Sequence, residues 1–541
     1  MPKPSLGTHR AKRTALWAVA LALITFAVHL PLIDYNRADF SDAVMQVGLF
    51  ENRNAYFPPL YTAGLKALAL IGLDDMSAGR LLSSLAAGGS IVLVYFLGAR
   101  LHSSAAGMFA ALVFTCSPVP WRWSLHAMGD SLFAFLFLFS LSALPGPGRG
   151  KSLQRRNFLS GTCGLFLGGL ATLTRYQGTI LLPLWALHVV RAGKERKRST
   201  LLLSAAVAVL PWIGALLWAI LWGFDHTAQF GERTGRSLAE TAGLYGFMVV
   251  SFVRYLPLAL GCGVTVLALV GLAVWLADRR QRFIAITWLG MFLVWLVAHA
   301  AFQSFQFRYF LPLVPLFCIL AAVGAFGVGG RFRLRSIPWF LLVLLCAEGG
   351  LRTVRVLAGT RNTFADIRAA AEFCRSQPPG VRVFSNEVYN PKYRTPKMRY
   401  WSRREVLYAT AAGNPDGGKA LALVTPAGPG GEEEPFEPIE RGEGFILCWH
   451  NVYSEVRAED LARLCPQLEG AGIIFDETFT NVPRLPDIMS SRPLEMHTAS
   501  GIVRPNITSW PQAMEYREMP QNYRTVVFEV GPQADWPAVP R

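Results

Sequence analysis

The sequence predicts a polytopic α-helical membrane protein that carries a soluble α/β domain at its C-terminal end. The 541 residues are 52% hydrophobic and 16% charged, which is too apolar for an ordinary soluble protein. Apolar runs of about 17–25 residues, the length that crosses a bilayer, recur before Arg352 and do not occur after it. Basic residues gather in the short segments between these runs, as they do in the loops of membrane proteins.

The apolar runs predict about eleven transmembrane helices. They lie at residues 14–33, 78–99, 104–120, 127–144, 158–174, 176–191, 200–222, 254–277, 283–302, 309–328 and 337–353. The basic clusters are Lys3/Arg10/Lys12/Arg13, Arg149/Lys151/Arg155/Arg156, Lys194/Arg196/Lys197/Arg198, Arg279/Arg280/Arg282 and Arg331/Arg333/Arg335. With the N-terminus inside, every cluster falls on the cytoplasmic side. The first loop and the C-terminal part then fall outside.

The charge and cysteine content exclude other classes of protein. A net charge of +16 would suit nucleic-acid binding, but the basic residues lie in loops and form no stripe, so no nucleic-acid partner is expected. The eight cysteines show no CxxC or other metal-ligand spacing. Cys374, Cys448 and Cys465 lie in the soluble part, where three cysteines allow one disulfide and no disulfide framework. The run from Ala15 to Ile33 is long and lacks a cleavage site, which indicates a retained first helix.

Two domains follow from this pattern. Residues 1–353 are predicted to form the transmembrane domain, and residues 354–541 an extracytoplasmic α/β domain long enough to bury its own core. The predicted strands are Val381–Ser385, Ala420–Val424, Gly444–Cys448, Ile473–Phe475 and Thr525–Val530, and the predicted helices are Ala365–Cys374 and Ala458–Leu464.

The first loop outside the membrane carries two acids, Asp39 and Asp42. Residues three apart share one face of a helix, and the apolar residues that follow suit a helix lying in the membrane interface. The Phe57-Pro58-Pro59 step ends any helix, and Leu60–Leu73 is apolar but too short to span a bilayer. Acids beside such segments favour a general base that acts on a lipid-linked substrate. The alternative is that they are solvated loop residues or helix caps.

Asp130 lies at the outer mouth of an otherwise apolar helix. An ionisable side chain costs about 2.5–3.5 kcal/mol at the centre of a membrane helix and less near its end. Asp130 is therefore expected to face a cavity or to pair with a cation. On a continuous helix, His126 would lie one turn away and Arg122 two turns away, on the same face. The alternative is an interfacial cap or ion-pair partner.

Three arginines, Arg175, Arg254 and Arg308, lie at the same outer boundary. The positive-inside tendency makes outer arginines less expected than inner ones. Guanidinium groups bind phosphate oxygens through two hydrogen bonds and stay charged when partly desolvated. Outer arginines that face acids across a cavity would therefore suit a phosphate leaving group. The alternative for each is snorkelling or contact with lipid headgroups.

Taken in order, these segments resemble a known family. They are the acidic first loop, Pro58-Pro-Leu-Tyr61, Ala127-x-x-Asp130-Ser-Leu-Phe, Leu173-Thr-Arg-Tyr-Gln-Gly178 and Arg308-Tyr-Phe-Leu-Pro-Leu-x-Pro315. The pattern is similar to the polytopic glycosyltransferases that use polyprenyl-phosphate sugars. These include the protein O-mannosyltransferases and the bacterial aminoarabinose transferase of lipid A. The resemblance covers roughly residues 10 to 350.

The resemblance implies a GT-C fold in a bacterial cytoplasmic membrane and an inverting transfer. The donor would be a polyprenyl-phosphate-linked sugar, and the acceptor a lipid, protein or glycan. The family's first-loop acid is the general base, and Asp39 is the best match, with Asp42 close behind. The usual Asp-Glu pair is replaced here by Asp39-Phe40, so the choice between Asp39 and Asp42 stays open. Asp130 matches the family's second acid.

The remaining site residues implied by the resemblance bind substrate. They are Arg175, Arg254, Arg308, Tyr309, Tyr61 and His126. Some members of the family carry a divalent metal near the site. No matching His/Glu set occurs in this sequence, so no metal or other cofactor is assigned.

Two other classes of function compete with this interpretation. A transporter or flippase of lipid-linked sugars would also use charges within the membrane, but transporters usually contain repeats with helices broken at the midplane. No repeat is visible in this sequence, and its polar residues gather at the outer face. A non-catalytic membrane protein would leave the ordered acids and arginines unexplained. The glycosyltransferase is therefore favoured.

Overall fold

The structure is a computed structural model that describes most of the N-terminal part of the chain and the central sheet of the C-terminal part. The described residues are 6–36, 38, 41–52, 57–143, 151–186, 198–221, 246, 249–250, 253, 256–257, 259–279, 281–301, 307–362, 364–387, 396–413, 419–424, 444–450, 460–461, 468, 471–480, 496–498, 501–503 and 522–530. The chain divides into two units. The first unit comprises Met1–Tyr35, Gln46–Leu357 and Ile488–Arg492, and the second Asn36–Met45, Ala358–Asp487 and Pro493–Arg541.

Helices make up the described chain before residue 361, because apolar runs of this length satisfy their backbone groups internally. They are α1 (Leu6–His29), α2 (Ser41–Val47), α3 (Leu49–Asn52), α4 (Leu60–Ala69), α5 (Asp75–Leu101), α6 (Ser104–Cys116), α7 (Pro118–Ser124), α8 (Asp130–Ser142), α9 (Lys151–Thr174), α10 (Arg198–Leu221), α11 (Cys262–Ala277), α12 (Arg282–Ala301), α13 (Val314–Arg331) and α14 (Ile337–Thr360). Three-residue-per-turn segments occur at Leu30–Leu32, Tyr176–Leu181 and Phe307–Phe310. Most of the predicted apolar helices are confirmed, with shifted ends.

The span predicted at 104–120 is not one straight helix. It forms α6 and α7, which are bent by 58° relative to each other. The break lies at Ser117, whose backbone is extended with ψ 134°. A residue before proline is disfavoured in the helical conformation, and Pro118 follows Ser117 directly. The prediction of an unbroken helix was therefore wrong at a position where the sequence carried a signal.

Two further predicted spans begin differently from the prediction. The segment predicted at 176–191 opens with the tight turn Tyr176–Leu181, after Arg175 in an extended conformation with φ −150°. The other span was predicted to begin at residue 254. In the structure, helix α11 begins after Gly261, whose φ of +100° is a conformation that favours glycine. The break at Arg175 coincides with the outer boundary predicted from the sequence, whereas Gly261 lies inside the span predicted at 254–277.

Five described helices are long and apolar enough to cross a membrane, judged by length and composition alone. The bent pair α6 and α7 makes a sixth if it forms one span. Shorter apolar helices occur at Asp130–Ser142, Leu159–Thr174 and Cys262–Ala277. These numbers refer to the described ranges only, so the total of about eleven spans remains a prediction.

Helices α11 and α13 pack so closely that their crossing requires glycine. A Cβ atom added to Gly271 would lie 1.9 Å from the carbonyl oxygen of Leu320. One added to Gly324 would lie 2.1 Å from the carbonyl oxygen of Leu267. Small residues permit this approach of two backbones in membrane proteins, where packing drives helix association.

We expect Gly271→Ala and Gly324→Ala each to destabilise the protein by about 1–3 kcal/mol, because the added methyl groups force the helices apart. The measurement is the thermal inactivation midpoint of the full chain in detergent. Gly290→Ala is the matched control, since Gly290 lies within α12 and an added Cβ meets no atom within 4 Å. That variant should keep or raise the midpoint. Equal midpoints for all three variants would contradict the close crossing.

The second unit is built on a mixed six-stranded sheet with strand order β3-β2-β1-β4-β8-β5. The strands are β1 (Arg382–Ser385), β2 (Val406–Gly413), β3 (Lys419–Val424), β4 (Phe445–His450), β5 (Gly472–Thr480) and β8 (Asn522–Val530), and β6 (Met496–Thr498) pairs with β7 (Gly501–Val503). β1 runs parallel to β2 and β4, and the other pairs are antiparallel. Helices α15 (Ala365–Ser376) and α16 (Pro396–Ser402) accompany the sheet, and α15 packs on β4, β5 and β8.

The five predicted strands and the helix at Ala365–Cys374 are confirmed. β2 and the β6–β7 pair were not predicted. Of the helix predicted at Ala458–Leu464, only residues 460 and 461 are described. The division into a transmembrane domain of residues 1–353 and an extracytoplasmic domain of residues 354–541 remains a prediction.

A chain of buried polar groups lies at the carboxyl ends of β1 and β4. The Thr525 hydroxyl donates to Asp366 Oδ2 at 2.7 Å and hydrogen bonds to His450 Nδ1. Because the Thr525 hydroxyl donates its proton to the Asp366 carboxylate, the Thr525 oxygen accepts a hydrogen bond from the Nδ1–H group of His450. His450 Nε2 is then an acceptor for the Ser385 hydroxyl, 3.1 Å away. All four side chains are fully buried, and their mutual bonding fixes α15 against the sheet.

Candidate functional site

The start of α8 carries the acid predicted at the outer mouth of a span. Asp130 is the first residue of α8, and 3% of its surface is exposed. Gly129 before it holds the N-cap position without a side-chain hydrogen bond. A carboxylate in the first turn is favoured by the partial positive charge of the helix N-terminus. This helix start corrects one expectation: His126 precedes α8 and packs on Trp123, with ring centroids 5.7 Å apart, so it does not share a helix face with Asp130.

Asp130 forms a buried ion pair with Arg175. Arg175 Nη2 lies 2.5 Å from Asp130 Oδ2, and the two side chains are 7% and 3% exposed. The guanidinium carbon also lies 5.8 Å from the centroid of the Phe57 ring. Removal of either partner would leave the other charge buried without a counter-charge. Asp130 therefore pairs with a cation as expected, but the cation comes from the end of α9.

Gln46 attaches α2 to the start of α8. Its side-chain oxygen Oε1 accepts a hydrogen bond of 2.8 Å from the backbone N–H of Gly129. The Thr62 hydroxyl donates to the backbone oxygen of Gln46 at 2.6 Å. A Cβ atom added to Gly129 would lie 3.0 Å from Gln46 Oε1, so a larger residue would disturb this contact. Gln46 thus fixes the residue that immediately precedes Asp130.

Arg308 brings a second guanidinium to the same loop. Its Nη1 lies 4.0 Å from the sulfur of Met128, and its guanidinium carbon lies 5.9 Å from the ring centroid of Trp123 and 5.6 Å from that of Tyr309. Tyr309 in turn packs on His299, with ring centroids 4.7 Å apart. Arg308 is 7% exposed. Arg175 therefore contacts Asp130 and Arg308 contacts Met128, two positions earlier, so two of the three predicted arginines lie near the start of α8.

The Tyr61 hydroxyl forms hydrogen bonds within the first unit. Its hydroxyl donates to the backbone oxygen of Gly79 at 2.8 Å and lies 3.1 Å from Ser83 Oγ. Ser83 Oγ donates to the backbone oxygen of Met128 at 3.0 Å. The side chain of Tyr61 is 1% exposed. These bonds tie α4 and α5 to the loop before α8, and substrate binding by Tyr61 stays a prediction.

Three buried donor groups around Asp130 have no acceptor within the described part of the chain. They are Gln46 Nε2, Ser131 Oγ and Arg175 Nε. A buried donor without a partner costs about 1–3 kcal/mol, so three such groups around one carboxylate favour an acceptor there, such as water, an ion or a substrate oxygen. Their closeness to two guanidinium groups gives the cluster the character of a site for an oxygen-rich anion.

Of the two acids of the first loop, Asp42 lies within the described residues. Asp42 is 4% exposed and lies on α2, one helical turn before Gln46. The helix face predicted to be shared by Asp39 and Asp42 stays a prediction, because Asp39 is not among the described residues. Asp39 and Arg254, both predicted site residues, lie outside the described residues. Asn36–Met45 belongs to the second unit by its contacts, whereas Gln46 belongs to the first.

Gln46 and Ser131 were missed by sequence reasoning. Ser131 directly follows Asp130 in the sequence. Gln46 is a single polar residue within the apolar stretch after Asp42, and this isolation was the signal that could have identified it. In the ranges that the structure describes, no group of three or more His, Cys, Asp and Glu side chains could hold a metal ion.

Comparison with known proteins identifies the fold. No protein-family model matches the chain, and no curated protein sequence matches it. Among solved structures, it is similar to ArnT from Cupriavidus metallidurans bound to undecaprenyl phosphate, with TM-score 0.58 and 14% identity over 97% of this chain and 99% of that chain. It is also similar to the apo state of that protein, with TM-score 0.55 and 13% identity over 98% and 100% of the two chains. The chain therefore has an ArnT-like membrane-protein fold, and the GT-C-like fold predicted from the sequence is confirmed.

Proposed function

We propose that the chain is a membrane glycosyltransferase that moves a sugar from a polyprenyl-phosphate donor to an acceptor. One observation carries the proposal. The buried Asp130–Arg175 pair and Arg308 meet at the start of α8, in a fold shared with ArnT, which was solved with undecaprenyl phosphate bound. Buried arginines beside unpartnered donors suit a phosphate group that carries a long apolar chain.

The donor phosphate binds next to the start of α8 in this proposal. Arg175 presents the edge that Asp130 does not occupy, and Arg308 supplies a second guanidinium. Gln46 Nε2 and Ser131 Oγ add neutral donors. Negative charge grows on the phosphate as the sugar departs, and fixed donors in a water-poor site stabilise that charge more than water would. Further contacts with the polyprenyl-phosphate sugar are proposed for Arg254, Tyr309 and His126.

The general base is an acid of the first loop, Asp42 or Asp39. It accepts the proton of an acceptor hydroxyl or amine, whose freed electron pair forms the new bond to C1 of the sugar. The bond between C1 and the phosphate oxygen breaks at the same time, and polyprenyl phosphate leaves with that electron pair. A single displacement of this kind inverts the configuration at C1. Asp42 is favoured by the burial of its side chain.

The membrane arrangement belongs to the proposal. The N-terminus lies in the cytoplasm, the reaction takes place at the outer face of the bacterial cytoplasmic membrane, and residues 354–541 lie outside. Grooves between apolar helices hold the polyprenyl tail. The acceptor is a lipid, a protein or a glycan that reaches the outer face.

The proposal is tested by replacing the first-loop acids. We expect Asp42→Asn to reduce sugar transfer about 100-fold or more, and the double variant with Asp39→Asn to lose it, because general base catalysis typically contributes about 10²–10⁴-fold. The measurement is release of polyprenyl phosphate from a radiolabelled polyprenyl-phosphate sugar by membranes that contain the full chain.

Asp34→Asn is the matched control, because Asp34 belongs to the same loop, its side chain is 83% exposed, and an asparagine oxygen can still accept the hydrogen bond that Arg80 donates. It should transfer sugar at the unmodified rate. Unchanged turnover in the Asp39 and Asp42 variants, singly and together, would overturn the proposed base. Movement of the intact lipid-linked sugar across proteoliposomes without release of polyprenyl phosphate would instead indicate a flippase.

A further inference from the structure

Two cysteines from different elements meet inside the second unit. Cys374 lies on α15 and Cys448 in the middle of β4, and both are fully buried. Their sulfur atoms are 3.3 Å apart. The two residues are separated by more than seventy positions, so the fold, and not local chain geometry, brings them together.

The contact follows from the way in which α15 packs on the sheet. Ile367, Ala370, Ala371 and Cys374 are buried at helical spacing, which defines the face of α15 that the sheet covers. Cys448 and His450 point to the same side of β4, because side chains alternate along a strand. His450 joins Asp366 through Thr525 at the start of α15, and Cys448 contacts Cys374 near its end. The same helix and strand are thus fixed at two places.

We propose that Cys374 and Cys448 form a disulfide bond in the mature protein. The sulfur atoms of a disulfide lie about 2.05 Å apart, so a small rotation of the two side chains closes the gap between the thiols. The proposal rests on the proposed position of residues 354–541 outside the cytoplasmic membrane, where disulfides form and persist.

The oxidant is the disulfide of a thiol–disulfide exchange protein. A thiolate of one cysteine attacks one sulfur of that disulfide and forms a mixed disulfide with it, while the other sulfur of the exchange protein leaves as a thiolate. The second cysteine, after losing its proton, attacks the sulfur of the first cysteine in the mixed disulfide and releases the remaining sulfur of the exchange protein as a thiolate. Cys374 and Cys448 lose two electrons, the exchange protein gains them, and its two thiolates take up the two protons.

The bond must form before the sheet closes over it. In the folded unit, burial and the neighbouring Cys374 raise the pKa of the Cys448 thiol, which suppresses the reactive thiolate. Both sulfurs are also shielded from large partners by full burial. Oxidation therefore accompanies folding, and the finished disulfide resists reductants as long as the unit stays folded.

The experiment uses the unmodified full chain, purified from membranes in the presence of N-ethylmaleimide and then denatured in the same reagent without reductant. We expect Cys374 and Cys448 to escape alkylation and to appear in one cross-linked peptide pair by mass spectrometry. Both should become alkylated after reduction. Cys318 is the internal control: it is equally buried, at 1% exposure, and should be alkylated on denaturation alone.

Alkylation of Cys374 and Cys448 in the denatured, unreduced chain would overturn the inference, and so would a cross-link of either to Cys465. The Cys374→Ser variant gives a second test: in this variant, the Cys448 thiol should be alkylated in the denatured chain without reduction. The outcome is independent of sugar transfer. A disulfide in a chain that transfers no sugar would leave this inference standing and remove the proposed function, and free thiols in an active chain would do the reverse.

Discussion

Replacing Arg175 by lysine in the full chain is expected to reduce sugar transfer about 100-fold or more while the protein remains folded. Lysine keeps the positive charge beside Asp130, which is 2.5 Å from the guanidinium in the structure. It cannot donate two parallel hydrogen bonds to a phosphate while also holding the carboxylate. Loss of one fixed donor to a developing charge typically costs about 10²–10³-fold in rate. The measurement is kcat/KM for a polyprenyl-phosphate sugar, read as a loss of transition-state stabilisation.

Arg175→Gln separates the chemical role of the arginine from its structural role. Alone, this change leaves Asp130 buried without a counter-charge, which is expected to destabilise the protein by about 3–5 kcal/mol. Adding Asp130→Asn removes that charge and should restore the thermal midpoint without restoring transfer. Arg331→Lys, at an exposed arginine that ends α13, should change neither quantity. Transfer by Arg175→Lys within about twofold of the unmodified chain would contradict the proposed phosphate contact.

The helices could be predicted from the sequence because long apolar runs leave the backbone few alternatives in a membrane. Their interruptions were harder to predict. Pro118 carried the signal for the bend at Ser117, but Arg175 leaves the helical conformation without a proline or glycine beside it. In the second unit, β2 escaped prediction because it contains three alanines, which favour strands weakly.

The site could be predicted as a set of residue types but not as a set of contacts. Asp130 and Arg175 were each singled out, and both lie at the outer boundary predicted from the hydropathy pattern. Their pairing joins positions 45 apart in the chain, which no local periodicity encodes. His126 was expected on the same face as Asp130 because the helix was predicted to continue back through residue 126, whereas α8 begins at Asp130. Gln46 became visible once its hydrogen bond to Gly129 was known.

Replacing Lys397 by methionine is expected to weaken the sheet of the second unit by about 3–5 kcal/mol. Lys397 Nζ lies 3.1 Å from Glu387 Oε1, and both side chains are fully buried. Glu387 also accepts hydrogen bonds from the backbone N–H groups of Lys397 and Met398, at 3.2 and 2.8 Å. Loss of the lysine leaves a carboxylate charge buried beside the end of β1. Hydrogen exchange of the β1 and β4 amides in the full chain measures the free energy of local opening.

Adding Glu387→Gln to the Lys397→Met variant should recover most of this loss. The glutamine oxygen still accepts from the backbone of α16, and no charge remains buried, so the remaining deficit is expected to be below about 2 kcal/mol. If the double variant opens as readily as Lys397→Met, the destabilisation comes from lost packing of the lysine stem and not from the charge of Glu387. The double variant therefore decides between charge and volume.

The Arg524–Asp476 ion pair is an exposed counterpart of the buried Lys397–Glu387 pair in the same unit. Its closest contact is 2.6 Å, but the side chains are 31% and 37% exposed, so Asp476→Asn should cost less than about 1 kcal/mol. The hydrogen bond from Arg524 lowers the pKa of Asp476. The small contribution of the pair is therefore present above the ordinary carboxyl pKa and disappears as the pH falls through the lowered value. A cost for Asp476→Asn equal to that for Lys397→Met would show that burial does not set the strength of ion pairs in this unit.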